Sequence, residues 1–197
     1  ALLTRLADAL PHIDAILPMA AANDAPIELN PLLSARAIFL NTTKHVLASP
    51  VSLQEAIIYT EMARLLCPGG DLQAHPIVSG VAATTSPLVF DSESAAMVVH
   101  FARAGCPFFT CSAPLVGAAS PVTLAGSLVL ENAEVLFTLV LAQAARRGTP
   151  VVYWVSPILI DMRTARPSVG QVEQLLLNFA VRQLADHYQL PCGAPLI

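Results

Sequence analysis

Charge is scarce in this chain. Of its 197 residues only 12% are Asp, Glu, Lys or Arg, about half the share of an ordinary soluble domain. The formal net charge is −4, and no stretch of Lys and Arg forms the basic stripe that a nucleic-acid binder needs. Cysteine is also sparse. Cys67, Cys106, Cys111 and Cys192 show no metal-ligand spacing and read as reduced thiols, with no metal site among them. No G-x-G-x-x-G follows a strand-like run and no G-x-x-x-x-G-K occurs, so the nucleotide-binding signatures are missing. No Ser, His and Asp stand in a triad order, and no paired carboxylates suit glycoside chemistry. The sequence therefore offers no general acid–base machine and names no catalytic residue.

Apolar residues are abundant instead: the chain is 55% hydrophobic, with a mean hydropathy of +0.62. A membrane span would need about 18 or more apolar residues with few charges. The best window, 124–142, holds Glu131, Asn132 and Glu134 near its middle, where charge is costly in lipid. A span is not expected. Nor is there a basic, apolar and small-residue leader, which points to a cytoplasmic protein. Parallel strands covered on both faces raise hydropathy in the same way. The first residues are already helix-like, and an apolar run opens at Leu196-Ile197. The expectation is a single domain, 1–197, that forms an interior part of a larger body. A cut apolar face would favour a homo-oligomer.

Strand and helix patterns alternate along the chain. A helix-like start ends near Leu10-Pro11. Strands are expected at 13–19, 44–48, 76–83, 108–112 and 151–156, with a turn at 23–26. Helices are expected at 29–40, after Ser52 with Glu55 three residues on, after Asp91 or Ser92, at 121–147 and at 169–187. Pro68-Gly69-Gly70 and Gly105 are stops. Sequential βα units imply an α/β fold with a parallel sheet. Either an open doubly wound sheet or part of a (β/α)8 barrel fits, and the missing glycine signatures favour the barrel. Barrel sites lie at the carboxyl ends of the strands. That rule selects Ser49, Thr84 to Ser86, Ser112 with the loop from Gly117 to Ser120, Ser156, and Asp161 to Arg163.

Four segments carry a family resemblance: LADALPHID at 6–14, NTTKHV at 41–46, SAPLVGAASPVTLAGSLVLENAE at 112–134 and DMRTA at 161–165. In order and spacing they resemble the trimethylamine methyltransferase family, which contains a pyrrolysine-dependent trimethylamine enzyme and non-pyrrolysine relatives such as glycine betaine demethylases. The resemblance implies a TIM-type (β/α)8 barrel of which this chain covers part, with any pyrrolysine lying beyond Ile197. It implies methyl transfer from a tertiary or quaternary methylamine to the Co(I) corrinoid of a cognate corrinoid protein. The corrinoid would come with that partner and not be held tightly by this chain. A quaternary amine has no proton to remove, which agrees with the missing acid–base set.

A trimethylammonium group calls for aromatic faces. Tyr153 and Trp154 are adjacent, so at most one faces the interior; Phe108 and Phe109 pose the same choice. Tyr153 is the expected cage member. Gly117 and Ser120 stand before a helix whose N–H groups suit a carboxylate or phosphate, with Ser120 as cap and Pro121 at the first turn. Arg163 suits a substrate carboxylate, with Asp161 as its partner, and Ser156 closes the set of expected substrate-binding residues. Glu131 and Glu134 fall about 15 Å or more inside their helix and read as packing or interface residues. Lys44 and His45 begin a strand, away from the usual site, and read as structural. Two other readings stay open: a non-catalytic barrel fragment that acts through association, and a different barrel enzyme with an anionic substrate.

Overall fold

The computed structural model describes residues 1–18, 26 and 29–193. Among the described residues, eight strands and six α-helices follow one another: α1 Leu2–Ala9, β1 Ala15–Ile16, α2 Asn30–Phe39, β2 His45–Ala48, α3 Leu53–Leu66, β3 Val78–Ala83, α4 Ser92–Ala104, β4 Phe108–Cys111, β5 Leu115–Val116, α5 Leu124–Ala145, β6 Val151–Val152, β7 Ile158–Asp161, β8 Arg166–Ser168 and α6 Val172–His187. The main sheet has five parallel strands in the order β1-β2-β3-β4-β6. Each strand lies beside the next main-sheet strand in the chain, as the alternating pattern predicts. A second sheet, β5-β7-β8, is formed by residues that follow the ends of β4 and β6.

Local chemistry sets the helix ends. The Ser52 hydroxyl accepts the Glu55 N–H at 3.3 Å while the Glu55 carboxylate accepts the Val51 N–H at 3.0 Å, a reciprocal start for α3. Asp91 caps α4 by accepting the Ser94 N–H at 2.8 Å. Gly105 ends α4 with φ +83°, a conformation that suits glycine. Burial alternates along β2 and β4, and the strand register places Val46, Ala48, Val78, Phe108 and Val151 on one face. This helix face packs against Ile38, Ala56, Phe101 and Ala142 from α2, α3, α4 and α5 in the main core. Below the sheet, Asp8 accepts hydrogen bonds from Thr42 and the Thr43 N–H, and the Lys44 ammonium reaches the carbonyls of Ala7 and Leu10. Lys44 is structural, as its sequence position suggests.

Several boundaries move. The strand expected at 13–19 pairs only over Ala15–Ile16; Met19 and the turn expected from Asn23 lie outside the described residues, apart from Pro26. The long helix begins at Leu124 with Thr123 as its cap, not at Pro121, because 117–120 form a closed turn of their own. The strand expected at 151–156 pairs with β4 for two residues and then continues through single bridges at Tyr153 and Val155. The last helix, expected from Val169, starts at Val172, after a β7–β8 hairpin that ends at Ser168.

α5 has the length and apolarity of a membrane span, yet it packs between α4 and α6 and turns Glu131 and Glu134 toward the protein. At 22 residues it is about 33 Å long, against about 20 Å for the six-residue β3. Its first turns therefore stand beyond the strand ends.

Gly80 brings the sheet against α4. A Cβ at this position would lie 2.3 Å from the Phe101 ring, and overpacking of that kind costs about 1–3 kcal/mol. Gly80→Ala is expected to lower the thermal midpoint, and Phe101→Leu added to it to recover part of the loss, both measured by thermal denaturation.

Candidate functional site

The overhang of α5 places Glu134 against the carboxyl ends of two strands. One carboxylate oxygen accepts the hydroxyls of Thr84 at 2.7 Å, Ser86 at 2.9 Å and Ser112 at 2.6 Å; the other accepts the Leu88 N–H at 2.8 Å. Thr84 follows β3 and Ser112 follows β4, so a single side chain joins both strand ends, the β3–α4 loop and α5. Burial raises the Glu134 carboxyl, but the hydrogen bonds from Ser112, Thr84, Leu88 and Ser86 outweigh it and hold the group below the ordinary carboxylate range. Leu88 keeps a left-handed backbone with φ +57°, sparsely populated for a side-chain-bearing residue.

One turn earlier Glu131 is fully buried. One oxygen accepts the Ser127 hydroxyl at 2.9 Å, and Ser127 shares a 2.7 Å hydrogen bond with Ser120. The other oxygen has no partner. Burial pushes this carboxyl up to about 7, helped by the charge of Glu134 and opposed by Ser127. The packing role expected for both glutamates is thus too narrow: they are the ionisable centre of the strand ends. Their signal was present in the sequence. Ser127, Glu131, Glu134 and Thr138 recur at helical spacing along an otherwise apolar helix, which marks one polar ridge.

The aromatic choice is resolved by strand parity. Phe108 and Tyr153 belong to the helix face. Tyr153 is fully buried, stacks on Tyr188 with centroids 6.2 Å apart, and donates its hydroxyl to Asn132 at 2.8 Å. Asn132 in turn donates to the Tyr188 hydroxyl at 3.0 Å. This packing turns Tyr153, the expected cage member, toward the helices, where it joins β6 to α5 and α6. Phe109 and Trp154 are half-buried on the opposite face and meet edge to face, 6.2 Å apart at 89°. The Trp154 indole N–H is buried without a partner. Cys111 shares this face, with its thiol pushed up to about 11 by burial, so it stays protonated.

The remaining expected residues are spread out. Gly117 has φ +90° within a closed turn. The N–H groups of Ala118, Ala119 and Ser120 point to the Leu115 carbonyl, and that of Gly117 points to the Ser120 carbonyl. All four are consumed, so the anion site expected at Gly117–Ser120 lacks its donors. Ser156 is buried and its N–H donates to the Ser112 carbonyl at 2.8 Å, which keeps it beside the Glu134 cluster. Asp161 shapes the β7–β8 turn: it accepts the Arg163 N–H at 2.9 Å and the Thr164 hydroxyl at 2.8 Å, and these bonds lower its carboxyl. It holds the backbone of Arg163, not its guanidinium, which forms no ion pair among the described residues. No group of three or more His, Cys, Asp or Glu that could hold a metal ion occurs among the described residues.

The family model of trimethylamine methyltransferase (MTTB) matches residues 1–195. This chain belongs to the trimethylamine methyltransferase family. It is 35% identical over 190 residues to trimethylamine methyltransferase MttB of Desulfitobacterium hafniense (strain DSM 10664 / DCB-2), covering 96% of this chain and 38% of that protein. To glycine betaine methyltransferase of Desulfitobacterium hafniense (strain Y51) it is 32% identical over 174 residues, 88% of the chain and 36% of the relative. To MttB of Methanosarcina thermophila it is 34% identical over 154 residues, 77% and 32%. The chain spans less than two-fifths of these trimethylamine and glycine betaine methyltransferases.

The two glutamates of this family member have opposite pH signatures. Glu131 is raised from 4.5 to about 7, so the folded chain binds more protons than the unfolded chain in that window, and stability falls as pH rises through it. Glu134 is lowered; its contribution is present above the unfolded value and is lost as pH falls through the folded one. Glu131→Gln is expected to flatten the decline in thermal midpoint between about pH 5 and about pH 8, followed by calorimetry. An unchanged slope would show that Glu131 does not titrate there.

Proposed function

We propose that the protein takes a methyl group from a tertiary or quaternary methylamine, trimethylamine or glycine betaine, and passes it to the Co(I) corrinoid of a separate corrinoid protein. Membership of the methyltransferase family supports the reaction type. The observation that carries the substrate class is the edge-to-face pair Phe109–Trp154. Aromatic faces attract a quaternary ammonium by about 0.5–2 kcal/mol, and the unpaired indole N–H of Trp154 offers a donor to an acceptor such as a betaine carboxylate. The free guanidinium of Arg163 is a second donor in this reading.

The sequential parallel order and the helix cover on the face of Phe108 support a wall of a (β/α)8 barrel. In that setting Phe109 and Trp154 face the interior. Beside them the strand ends carry Ala83 and Cys111, side chains small enough for a flat macrocycle to approach. The bound corrinoid supplies the Co(I) nucleophile. The chain's own part is to orient the methylated nitrogen on the two rings and keep water from it. Val172, Leu176 and Phe179 on α6 are exposed, which supports the homo-oligomer in the same proposal. The anionic-substrate reading loses ground, because the N–H groups of 117–120 are already satisfied.

Titration calorimetry of the complete protein with trimethylamine, glycine betaine and inorganic phosphate tests the proposal. Binding of one amine, weakened about 2- to 30-fold by Trp154→Ala and unchanged by Tyr153→Phe, is the expected outcome. Binding of phosphate alone would overturn it.

A further inference from the structure

On the helix side of the sheet, away from Phe109 and Trp154, a cavity of about 400 Å³ lies between α5 and the β3–α4 loop. Thr84, Leu88, Phe90, Glu134 and Phe137 contribute to its walls. Phe90 and Phe137 meet edge to face with centroids 5.5 Å apart. Glu134 is only 3% exposed, and all four of its donors are neutral groups. Among the described residues no cation pairs with it. The four hydrogen bonds keep the carboxylate ionised without neutralising it, and the uncompensated charge lines an open cavity.

The walls decide what kind of cation fits. A hard metal ion needs several oxygen ligands, and this cavity offers one carboxylate whose lone pairs already receive four hydrogen bonds. The other walls are rings and aliphatic carbon. That combination suits a weakly hydrated cation whose charge is spread over carbon-bound methyl groups. The volume exceeds what a trimethylammonium head group fills, so a short substituent also fits. We propose that this cavity is a second binding site, specific for a small N-methylated ammonium ion, with Glu134 as counter-charge and Phe90 and Phe137 as the aromatic wall. The inference holds whether or not the protein transfers methyl groups, because it uses no residue of the Phe109–Trp154 pair.

The test uses the complete protein labelled with 4-fluorophenylalanine and titrated with tetramethylammonium chloride. Sodium chloride at matched ionic strength controls for salt, and tert-butanol is the neutral mimic. The 19F resonance of Phe137 is assigned by its loss in Phe137→Leu, a change at a position 53% exposed. A saturable shift of this resonance with tetramethylammonium, absent with sodium and tert-butanol, is expected. By calorimetry Glu134→Gln should weaken the affinity about tenfold or more, and Phe137→Leu about threefold. Trp154→Ala should leave the Phe137 shift in place. No saturable shift, an equal response to tert-butanol, unchanged affinity in Phe137→Leu, or loss of the Phe137 shift in Trp154→Ala would each overturn the proposal.

Discussion

The Glu134 carboxylate is the constraint on which the upper half of this molecule depends. Its donors come from the end of β3, from the loop that follows, and from the end of β4, while the side chain itself stands on α5. Charge-assisted hydrogen bonds are roughly twice as strong as neutral ones, and four of them converge here without a counter-charge. They fix how far α5 extends beyond the sheet. They also hold the loop through Leu88 in a left-handed conformation it would not adopt alone. The cavity, the strand ends and the neighbouring Glu131 inherit their geometry from that arrangement.

Two carboxylates one helical turn apart behave differently for a reason visible in their partners. Glu134 is met by four donors and stays ionised. Glu131 is met by one hydroxyl and leaves an oxygen unpaired, so burial wins and the proton is retained near neutrality. Desolvation acts on both; the count of hydrogen bonds decides the sign. The upward shift of Glu131 also depends on Glu134 remaining charged, which couples the two groups.

Much of the fold was legible in the sequence. Ser52, Asp91 and Gly105 announced their helix ends because capping is local chemistry. The alternation of apolar strands and helices gave the parallel order, since adjacent βα units leave few other pairings. What depended on distant partners was harder to read. The start of α5 moved to Thr123 because the 117–120 turn closes on the Leu115 carbonyl, a contact no cap motif encodes. Glu134 looked remote from the site by helix length alone, since its relevance rests on how far α5 overshoots the sheet. The choice between Tyr153 and Trp154 was a question of parity, and adjacency alone could not answer it. The register Phe109↔Val152 answers it, by placing Trp154 and Phe109 together and leaving Tyr153 between two helices.

The tryptophan on that second face has a further consequence. Trp154 is the single tryptophan in this sequence, and its indole N–H is held dry and unpaired beside Phe109. Indole emission responds to the polarity around the ring, so the tryptophan fluorescence of this chain reports one place only. The colour of that emission measures whether the face between the strands is dry, wetted or filled. The fold has thus built an optical gauge of hydration into the surface on which the methylated nitrogen is proposed to rest.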